Sequence, residues 1–355
     1  MLRLEPRKEF SRTMFYLSPP LALALTLIAG AILFTLLGKN PVTALNAIFI
    51  GPLTTFRGLA ELLVKATPLI LIAVGLALGF RANVWNIGAE GQYVIGALSG
   101  GSVALAAYPG GGLWLLPLMC VAGATGGAAW VAIPALLKTR FNANEILVSL
   151  MLTYVAILLL TVLVDGPLRD PEGLNFPESR LFQDAARMPA LIPKTRAHIG
   201  FAAAIGAALL AQLALARHVI GYQIRVLGAA PAAARFGGFS QTRIVWTCLL
   251  ISGALAGLAG LFEAAGPVGQ LVPQLPNNYG FTAIIVAFLG RLNPLGIIAS
   301  GLLMALTYIG GDAAQVALNL PAAVKSVFQG LLLFFLLAVD VLVTYRVRID
   351  WRRVA

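Results

Sequence analysis

Long apolar segments are the feature that most restricts the fold of this chain. Stretches of about 20 mostly uncharged residues, the length of a membrane span, recur through the 355-residue sequence. Hydrophobic residues make up 59% of the chain and charged residues 11%, whereas a soluble domain has about 25% charged residues. The sequence therefore predicts an all-α protein that crosses a membrane many times.

Ten segments are long enough, or nearly long enough, to be spans. The shortest covers residues 279–290, where we expect a broken or re-entrant helix. The first follows a basic stretch, but its length and the lack of a nearby cleavage site favour a retained span over a signal peptide. The predicted spans are residues 19–37, 60–79, 90–108, 113–137, 146–164, 199–216, 244–264, 279–290, 295–311 and 324–345.

The distribution of lysine and arginine predicts the side on which each loop lies. Ten spans put both termini on one side, and a cytoplasmic N-terminus places most of the 25 lysines and arginines in inner loops. Membrane orientation therefore explains the net charge of +11 without a nucleic-acid partner. We expect a cytoplasmic segment over 1–18, a transmembrane domain over 19–345 and a cytoplasmic tail over 346–355.

The polar side chains that fit a membrane least lie in the sequence NVWNIGAEGQYVIG, residues 83–96. Asn86, Glu90 and Gln92 lie between two apolar runs, although a charge near a bilayer centre costs about 2.5–3.5 kcal/mol. Two glycines flank Glu90 and allow backbone shapes that a regular helix does not use. The pattern predicts an interrupted helix at 86–92 that borders a transport path. The structural alternative is that these side chains cap exposed backbone groups.

Two loops are predicted to lie outside the membrane and are long enough to meet a partner. Residues 165–197 form the longest, with mixed charge and several prolines. Residues 265–278 form an uncharged loop that also contains prolines. Neither loop is long enough to hold an independent catalytic domain.

The longest inside loop, residues 217–243, contains arginines and no acidic residue. Within it, residues 232–236 (AAARF) favour a short helix, with Pro231 acceptable in the first turn and a glycine pair at 237–238 to end it. A surface helix bearing Phe236 would suit a groove on a cytoplasmic partner. The alternative is a solvated connection that obeys the positive-inside rule.

Motifs of the common enzyme classes are absent from the sequence. No G-x-x-x-x-G-K-[ST] phosphate loop occurs, so we do not expect the chain to hydrolyse ATP. No G-x-S-x-G, H-E-x-x-H or C-x-x-C motif occurs either. His198 and His218 lack metal-ligand spacing, and Cys120 and Cys248 lie in apolar spans as packing residues. We expect a non-catalytic transport protein without a metal site, rather than an intramembrane enzyme.

Glycines recur within the predicted spans and indicate how the helices pack. They are four residues apart at 96 and 100, at 123 and 127, and at 253 and 257. Such spacing lets helix backbones approach closely in a membrane, where lipid offers no hydrophobic drive for association. We interpret these pairs as bundle packing rather than as a dimer face.

A short pattern occurs twice at predicted inside turns. Arg81-Ala-Asn83 is followed by Gly91, and Arg291-Leu-Asn293 is followed by Gly301 at the same spacing. Duplicated halves are common in transporters, and chance is the alternative explanation.

Four motifs carry a family resemblance: NIGAEGQ at 86–92, NEILVSLML at 144–152, GYQIRVLGAAPAAARFGGF at 221–239 and YGFTAIIVAFLGRLNPLG at 279–296. Over about residues 15–345 the chain resembles the permease subunit of ABC importers, in the branch that shares the ribose and branched-chain amino-acid permease fold. Within that branch it is similar to nucleoside and simple-sugar permeases that work with a basic-membrane-protein-type lipoprotein. One departure is Thr153, where relatives often carry Asn.

The resemblance implies partners for the chain. They are an ATP-binding cassette subunit, which would hold ATP and Mg, an external solute-binding protein, and a second copy or a related permease. It implies no cofactor on this chain and a multi-pass location in the bacterial cytoplasmic (inner) membrane, in contact with lipid. It also implies that the 221–242 loop contains the coupling helix that docks on the ATPase.

Candidate functional residues fall into two groups. The candidates for the solute pathway, which offer hydrogen bonds or stacking, are Asn86, Glu90, Gln92, Asn144, Ser149, Tyr154, Tyr279 and Phe281. The candidates for ATPase coupling are Arg225, Gly228, Pro231, Ala232, Ala233, Arg235, Phe236 and Gly237. The alternative function is an ion-coupled secondary transporter that uses Glu90 as its coupling site.

Overall fold

The computed structural model describes residues 2–6, 12–173, 175–321 and 323–349, which are almost entirely helical. Short 3₁₀ turns cover Gly51–Thr54 and Asp184–Ala186, and the tenth α-helix continues as a π-helical turn over Ala264–Val268. The α-helices are α1 (Arg12–Leu36), α2 (Pro41–Phe49), α3 (Phe56–Arg81), α4 (Ala89–Ala106), α5 (Leu115–Phe141), α6 (Glu145–Asp165), α7 (Gly200–Arg217), α8 (Val219–Ala229), α9 (Pro231–Phe236), α10 (Gln241–Glu263), α11 (Tyr279–Leu289), α12 (Pro294–Leu318) and α13 (Ala323–Thr344). Two strands, β1 (Leu2–Pro6) and β2 (Tyr345–Ile349), complete the described structure.

Each predicted span coincides with a helix, but two of these helices are not typical spans. Among the described residues, eight helices are long and apolar enough to cross a membrane: α1, α3, α5, α6, α7, α10, α12 and α13. Helix α4 falls outside this set, and α11 has 11 residues, about 16 Å against a hydrocarbon core of about 30 Å. The structure supports a multi-pass membrane protein and confirms that segment 279–290 is incomplete. The total of ten spans stays a prediction.

The two predicted cytoplasmic ends are described only in part. Residues 1 and 7–11 of the N-terminal segment, and 350–355 of the C-terminal tail, lie outside the described residues. Helix α1 already begins at Arg12, within the predicted segment 1–18, because helical structure extends beyond the apolar part of this span. The predicted bounds of the transmembrane domain, 19–345, stay a prediction.

One compact unit comprises Met1–Gly58 and Leu306–Ala355. Strand β1 pairs antiparallel with β2, with Leu2 opposite Ile349. Helices α1 and α13 pack along each other in the same unit. The strand pair holds residues 2–6 and 345–349 side by side. That both ends of the chain lie on the cytoplasmic side stays a prediction.

A second compact unit comprises Leu59–Ala305 and contains the predicted functional residues. Helix α3 is buried without interruption from Ala66 to Phe80. Helices α4, α5 and α10 pack against one another, and the predicted glycine pairs lie at their contacts. A Cβ on Gly127 would lie 2.8 Å from the Cα of Gly257, which shows that the two backbones approach closely. The bundle-packing interpretation of these glycines is confirmed.

The loops predicted to lie outside the membrane meet at one end of this unit. Between residues 165–197 and 265–278, the N–H of Ser179 donates to the carbonyl of Leu271 over 3.0 Å, and that of Phe182 to Gly269 over 2.8 Å. The loop before α5 joins them, because the Gln183 amide donates to the Gly110 carbonyl. The prediction that these loops share one side agrees with these contacts.

The two turns that share the repeated pattern contact each other at the other end of the unit. Arg81 Nε donates to the Leu292 carbonyl over 2.8 Å, and the rings of Phe80 and Phe288 stack with centroids 5.4 Å apart. The backbone has a positive φ at Asn83, at Arg291 and at Leu292. The turn after α3 and the turn after α11 therefore form one packed structure, as expected for two inside turns.

Candidate functional site

The amide side chains of Asn86 and Gln92 form a reciprocal pair inside the second unit. Each amide nitrogen donates to the other's oxygen over 2.8 Å, and Asn86 also donates to Ser252 Oγ of α10 over 2.9 Å. Asn86 and Gln92 are each 1% exposed. The pair links the buried turn before α4 to the second turn of that helix and to α10. Ser252 was not singled out from the sequence because its position in α10 shows no local sign of this partner.

Glu90 caps a different helix from the one that contains it. Its carboxylate accepts the backbone N–H of Asn278 over 2.9 Å and that of Gly280 over 2.5 Å, at the N-terminus of α11. Glu90 is fully buried, and α11 has no side-chain cap of its own at Asn278. A carboxylate is well suited to this place because the first N–H groups of a helix have no helical acceptor.

The predicted interruption at 86–92 is a junction rather than a break inside one helix. Helix α3 ends at Arg81 and α4 begins at Ala89, and the turn between them is largely buried. Buried non-helical backbone of this kind needs protein partners. The end of α3 supplies some of them, because the N–H groups of Ala82 and Val84 both donate to the Gly79 carbonyl over 2.9 Å. The structural alternative, that these side chains cap exposed backbone groups, describes the contacts of Glu90, whereas Asn86 and Gln92 bond each other and Ser252.

The candidates on α6 do not converge on one surface. Asn144 accepts the N–H of Ile146 and caps the helix at an exposed end. Ser149 is buried against Gly88, and Thr153, the position that departs from the family pattern, donates to the Ser149 carbonyl. Tyr154 is 57% exposed on another face. Phe281, on α11, is half-buried.

Tyr279 belongs to a charged cluster that the sequence did not reveal. Its hydroxyl accepts from Lys65 Nζ of α3 over 2.7 Å and donates to Glu263 Oε1 of α10 over 3.3 Å. Lys65 and Glu263 form an ion pair with 3.2 Å between Nζ and Oε1. Each charge lies within an apolar span, and only the fold brings α3, α10 and α11 together here.

The predicted short helix in the inside loop is present as α9. Pro231 lies in its first turn, Gly237 caps its C-terminus and Gly238 has a φ of +79°. Ala234 is buried and anchors the helix in an apolar cluster shared with Leu78 and with residues of α8 and α10. The predicted coupling residues of this helix and its cap are all exposed: Pro231, Ala232, Ala233, Arg235, Phe236 and Gly237. Phe236 is 98% exposed.

Helix α8 connects α9 to the buried turn that precedes α4. A Cβ on Gly228 would lie 2.9 Å from the carbonyl carbon of Arg81 and closer still to its oxygen. The apolar side chains of Leu227 and Val84 lie in the same buried cluster. Arg225 is exposed on the same helix. Because the contact at Gly228 joins two backbones, the turn has little freedom to move independently of α8.

The inner end also contains a cleft and an ion pair. The cleft has about 310 Å³ of empty volume, and its lining includes Asn83, Lys138 and Pro231. Lys138 pairs with Glu145 at the start of α6. Among the described residues, no group of three or more histidine, cysteine or acidic side chains could hold a metal ion.

A family model decides what kind of protein has this arrangement. The model for the branched-chain amino acid transport system permease component matches residues 58–337. The chain belongs to this family. The permease region thus covers the whole second unit, including the amide pair, the Glu90 cap and α8–α9, and extends into α13.

Relatives of this permease are similar over nearly their whole length. The chain is 36% identical to the glucose ABC transporter permease protein TsgB13 of Haloferax volcanii, covering 99% of this chain and 95% of that protein. It is 29% identical to the guanosine ABC transporter permease protein NupP of Bacillus subtilis, covering 90% and 92%. It is 26% identical to the nucleoside ABC transporter permease protein NupB of Lactococcus lactis, covering 92% of each. No solved structure matches the chain significantly.

The comparisons establish the chain as a multi-pass permease subunit of an ABC importer. They overturn the alternative of an ion-coupled transporter with Glu90 as its coupling site, because the family and its named relatives are ABC permeases. The geometry gives the physical reason for the error. Glu90 was the most conspicuous intramembrane charge in the sequence, but both carboxylate oxygens bind the N-terminus of α11.

Replacing Glu90 tests the capping role in this permease. Glu90→Ala leaves the buried N–H of Gly280 and the partly buried N–H of Asn278 without their acceptor, at about 1–3 kcal/mol for the buried group, so we expect a clearly lowered melting temperature. Glu90→Gln keeps one acceptor oxygen and should retain partial transport. Thermal unfolding in detergent and uptake in proteoliposomes measure these effects. Glu172→Ala is the control, because the Glu172 side chain is 88% exposed. Complete loss of transport in a Glu90→Gln variant of normal stability would contradict a purely structural role.

The permease should lose stability in mild acid through His198, which lies outside the spans. Burial disfavours the imidazolium and lowers the pKa of His198 from 6.5 to about 4. The unfolded chain therefore takes up a proton near pH 6.5 while the folded chain does not, and stability falls as the pH drops from about 6.5 towards 4. At pH 5 we expect a loss of about 1–2 kcal/mol relative to pH 7.

Melting temperatures measured between pH 7 and pH 5 test this expectation. His198→Gln should flatten the profile because glutamine does not titrate in this range. His218→Gln is the matched control, since Nδ1 of each histidine accepts the N–H two residues further along the chain, but His218 is exposed. An unchanged pH profile in His198→Gln would assign the acid sensitivity to other groups.

Proposed function

We propose that this permease carries nucleosides or related simple sugars across the cytoplasmic membrane, with energy from ATP that a separate ATP-binding cassette subunit hydrolyses. The names of the relatives support the solute class, since they are permeases for glucose, guanosine and nucleosides. In this proposal, ATP and Mg bind only the partner. An external solute-binding protein delivers the solute, and a second copy of the chain or a related permease completes the membrane core.

The exposed surface of α9 is the observation that carries the coupling role. A phenylalanine that is 98% exposed, on a helix whose other face is anchored by Ala234, is available to fill a pocket on a partner. Arg225 and Arg235 flank it, and the loop has no acidic residue, which favours a partner surface that carries acidic groups. The predicted coupling residues of α9 and its cap, which are all exposed, supply this patch, whereas Gly228 lies in the contact behind it.

The contacts behind this patch suggest how nucleotide-driven movement would reach the solute pathway. Movement of α9 is transmitted to α8, and the backbone contact at Gly228 transmits it to Arg81 at the end of α3. Arg81 also holds the turn after α11 through the Leu292 carbonyl. The turn after α3 contains Asn86 and leads into α4, which carries Glu90 and Gln92, and the turn after α11 follows the helix that Glu90 caps. Two states of this assembly, biased by ATP, would give alternating access.

Reconstitution with the proposed partners tests this function. The permease, the ATPase and the solute-binding protein are placed in liposomes, and uptake of guanosine and of glucose is measured with and without ATP. We expect ATP-dependent uptake of at least one of them and ATP hydrolysis that is stimulated by loaded binding protein. Uptake that continues without the ATPase would contradict the proposal, as would a complex that carries neither solute.

A further inference from the structure

Among the described residues, the hydrogen bonds and the ion pair of Glu263 all involve one of its two carboxylate oxygens. Lys65 Nζ lies 3.2 Å and Tyr279 Oη 3.3 Å from Oε1. The second oxygen, Oε2, is buried and has no hydrogen-bond partner among the described residues, and Glu263 as a whole is 2% exposed. A buried carboxylate oxygen is stable only with a hydrogen-bond donor. Oε2 therefore points to a ligand that brings an O–H or N–H group.

The charges around Oε2 restrict the class of this ligand. Lys65 already balances the charge of Glu263, so a cation would meet the ammonium group and an anion would meet the carboxylate. The neighbouring pair is balanced as well, because Arg196 binds both oxygens of Glu61 over 2.8 and 2.7 Å. A neutral ligand with polar groups fits this environment better than an ion of either sign.

The cluster is accessible from the end of the unit where the predicted outside loops meet. The Lys65 side chain is 22% exposed, and Glu61, which pairs with the loop residue Arg196, lies one turn earlier on α3. Glu263 immediately precedes the π-helical turn Ala264–Val268, and such turns are frequent at functional sites. A solute that enters from this end meets the ammonium group first and the buried carboxylate next.

Tyr279 is held in place independently of the ion pair. The Glu90 cap binds the N–H groups on either side of it, at Asn278 and Gly280. Its ring packs edge-on against Tyr93 with centroids 5.9 Å apart. The phenol oxygen therefore has a fixed position beside Lys65 and Glu263, as a recognition site requires.

From this geometry we propose that Lys65, Glu263 and Tyr279 form a recognition subsite for the hydroxyl groups of a neutral polyhydroxylated solute. One hydroxyl donates to Glu263 Oε2, and a neighbouring hydroxyl accepts from the Lys65 ammonium group. The proposal rests on the proposed function. It assigns part of solute recognition to Lys65 and Glu263, which neither the sequence motifs nor the family match identifies.

Deoxy analogues test the subsite in the complete transporter. The probes are guanosine, 2′-deoxyguanosine and 3′-deoxyguanosine, together with glucose and 2-deoxyglucose, in proteoliposomes that contain the permease, its ATPase and its binding protein. The measured quantity is the ratio of uptake efficiencies of each parent solute and its deoxy analogue. The same binding protein is used throughout, so a difference in this ratio between permease variants arises in the permease.

We expect the wild type to prefer one parent solute over a deoxy analogue by about 10- to 100-fold, the effect of one hydrogen bond to a charged group. Glu263→Gln and Tyr279→Phe should each reduce that preference about 5-fold or more, in excess of any common fall in rate. Glu61→Gln is the matched control and should keep the wild-type ratio, because both Glu61 oxygens are already bound by Arg196.

A preference that stays at the wild-type value in both variants overturns the subsite, even if the maximal rate falls, because an ion pair that only supports the fold affects all solutes alike. If Glu263→Gln does not assemble, the ratio in Tyr279→Phe decides, since that change removes a single oxygen atom. A wild-type complex that transports neither guanosine nor glucose overturns the proposed function as well, whereas unchanged ratios in an active transporter overturn the subsite alone.

Discussion

Phe236→Asp should abolish ATP-driven transport while the permease itself stays folded. The ring is 98% exposed, so its loss costs the isolated subunit little stability. An aromatic anchor at the centre of an interface typically contributes about 2 kcal/mol or more, and a buried unpaired carboxylate adds a further cost, so ATPase affinity should fall by at least about 30-fold. Co-purification, ATP hydrolysis and uptake measure the loss.

The control for this change is Phe176→Asp. Phe176 is 61% exposed, but it lies in the 165–197 loop, at the opposite predicted side of the membrane from α9. The Phe176→Asp permease should still bind the ATPase, and the complex should hydrolyse ATP normally. Normal transport in Phe236→Asp would refute the coupling role of α9, whereas a lowered melting temperature would show that the ring supports the fold.

Gly228→Ala should impair both stability and coupling. The new methyl group would lie 2.9 Å from the Arg81 carbonyl carbon and closer to the oxygen, and no flexible side chain can move to relieve the overlap. Forcing α8 away from this turn should cost about 1–3 kcal/mol, as overpacking does. It also loosens the contact through which α9 is connected to α3. We expect a lower melting temperature and reduced uptake for each ATP hydrolysed.

Gly206→Ala provides a matched control for this prediction. Gly206 lies within α7, and an added Cβ there meets no heavy atom within 4 Å. Alanine is the better helix former by about 0.8–1 kcal/mol, so stability should stay the same or rise slightly. If Gly228→Ala behaves like Gly206→Ala, the α8–α3 contact has no role in coupling.

Local signals in the sequence were sufficient for the elements themselves. The ends of α9 were predictable because Pro231 is accepted only in a first turn and a glycine pair ends a helix, both within a few residues. The short α11 was predictable because an apolar run of that length cannot cross a bilayer.

Partners that are distant in the sequence could not be predicted in the same way. Glu90 and Gly280 are 190 residues apart, and nothing near Glu90 indicates that it caps another helix. Lys65 and Glu263 each look like an isolated charge within an apolar span, and their meeting depends on how α3 and α10 pack. The sequence shows where the charged residues are in the chain but not which groups bond to them.

From the sequence alone, it was determined that the chain is a helical membrane protein, where along the chain its helices lie, and that the inside loop contains a short helix. These properties follow from the transfer of each segment between water and lipid and from local backbone preferences, which act over a few residues. The tertiary structure decided which polar groups meet: the amide pair with Ser252, the Glu90 cap on α11 and the Lys65–Glu263–Tyr279 cluster. Inside a membrane a buried polar group must find a protein partner, and packing of the helices alone selects which one it is.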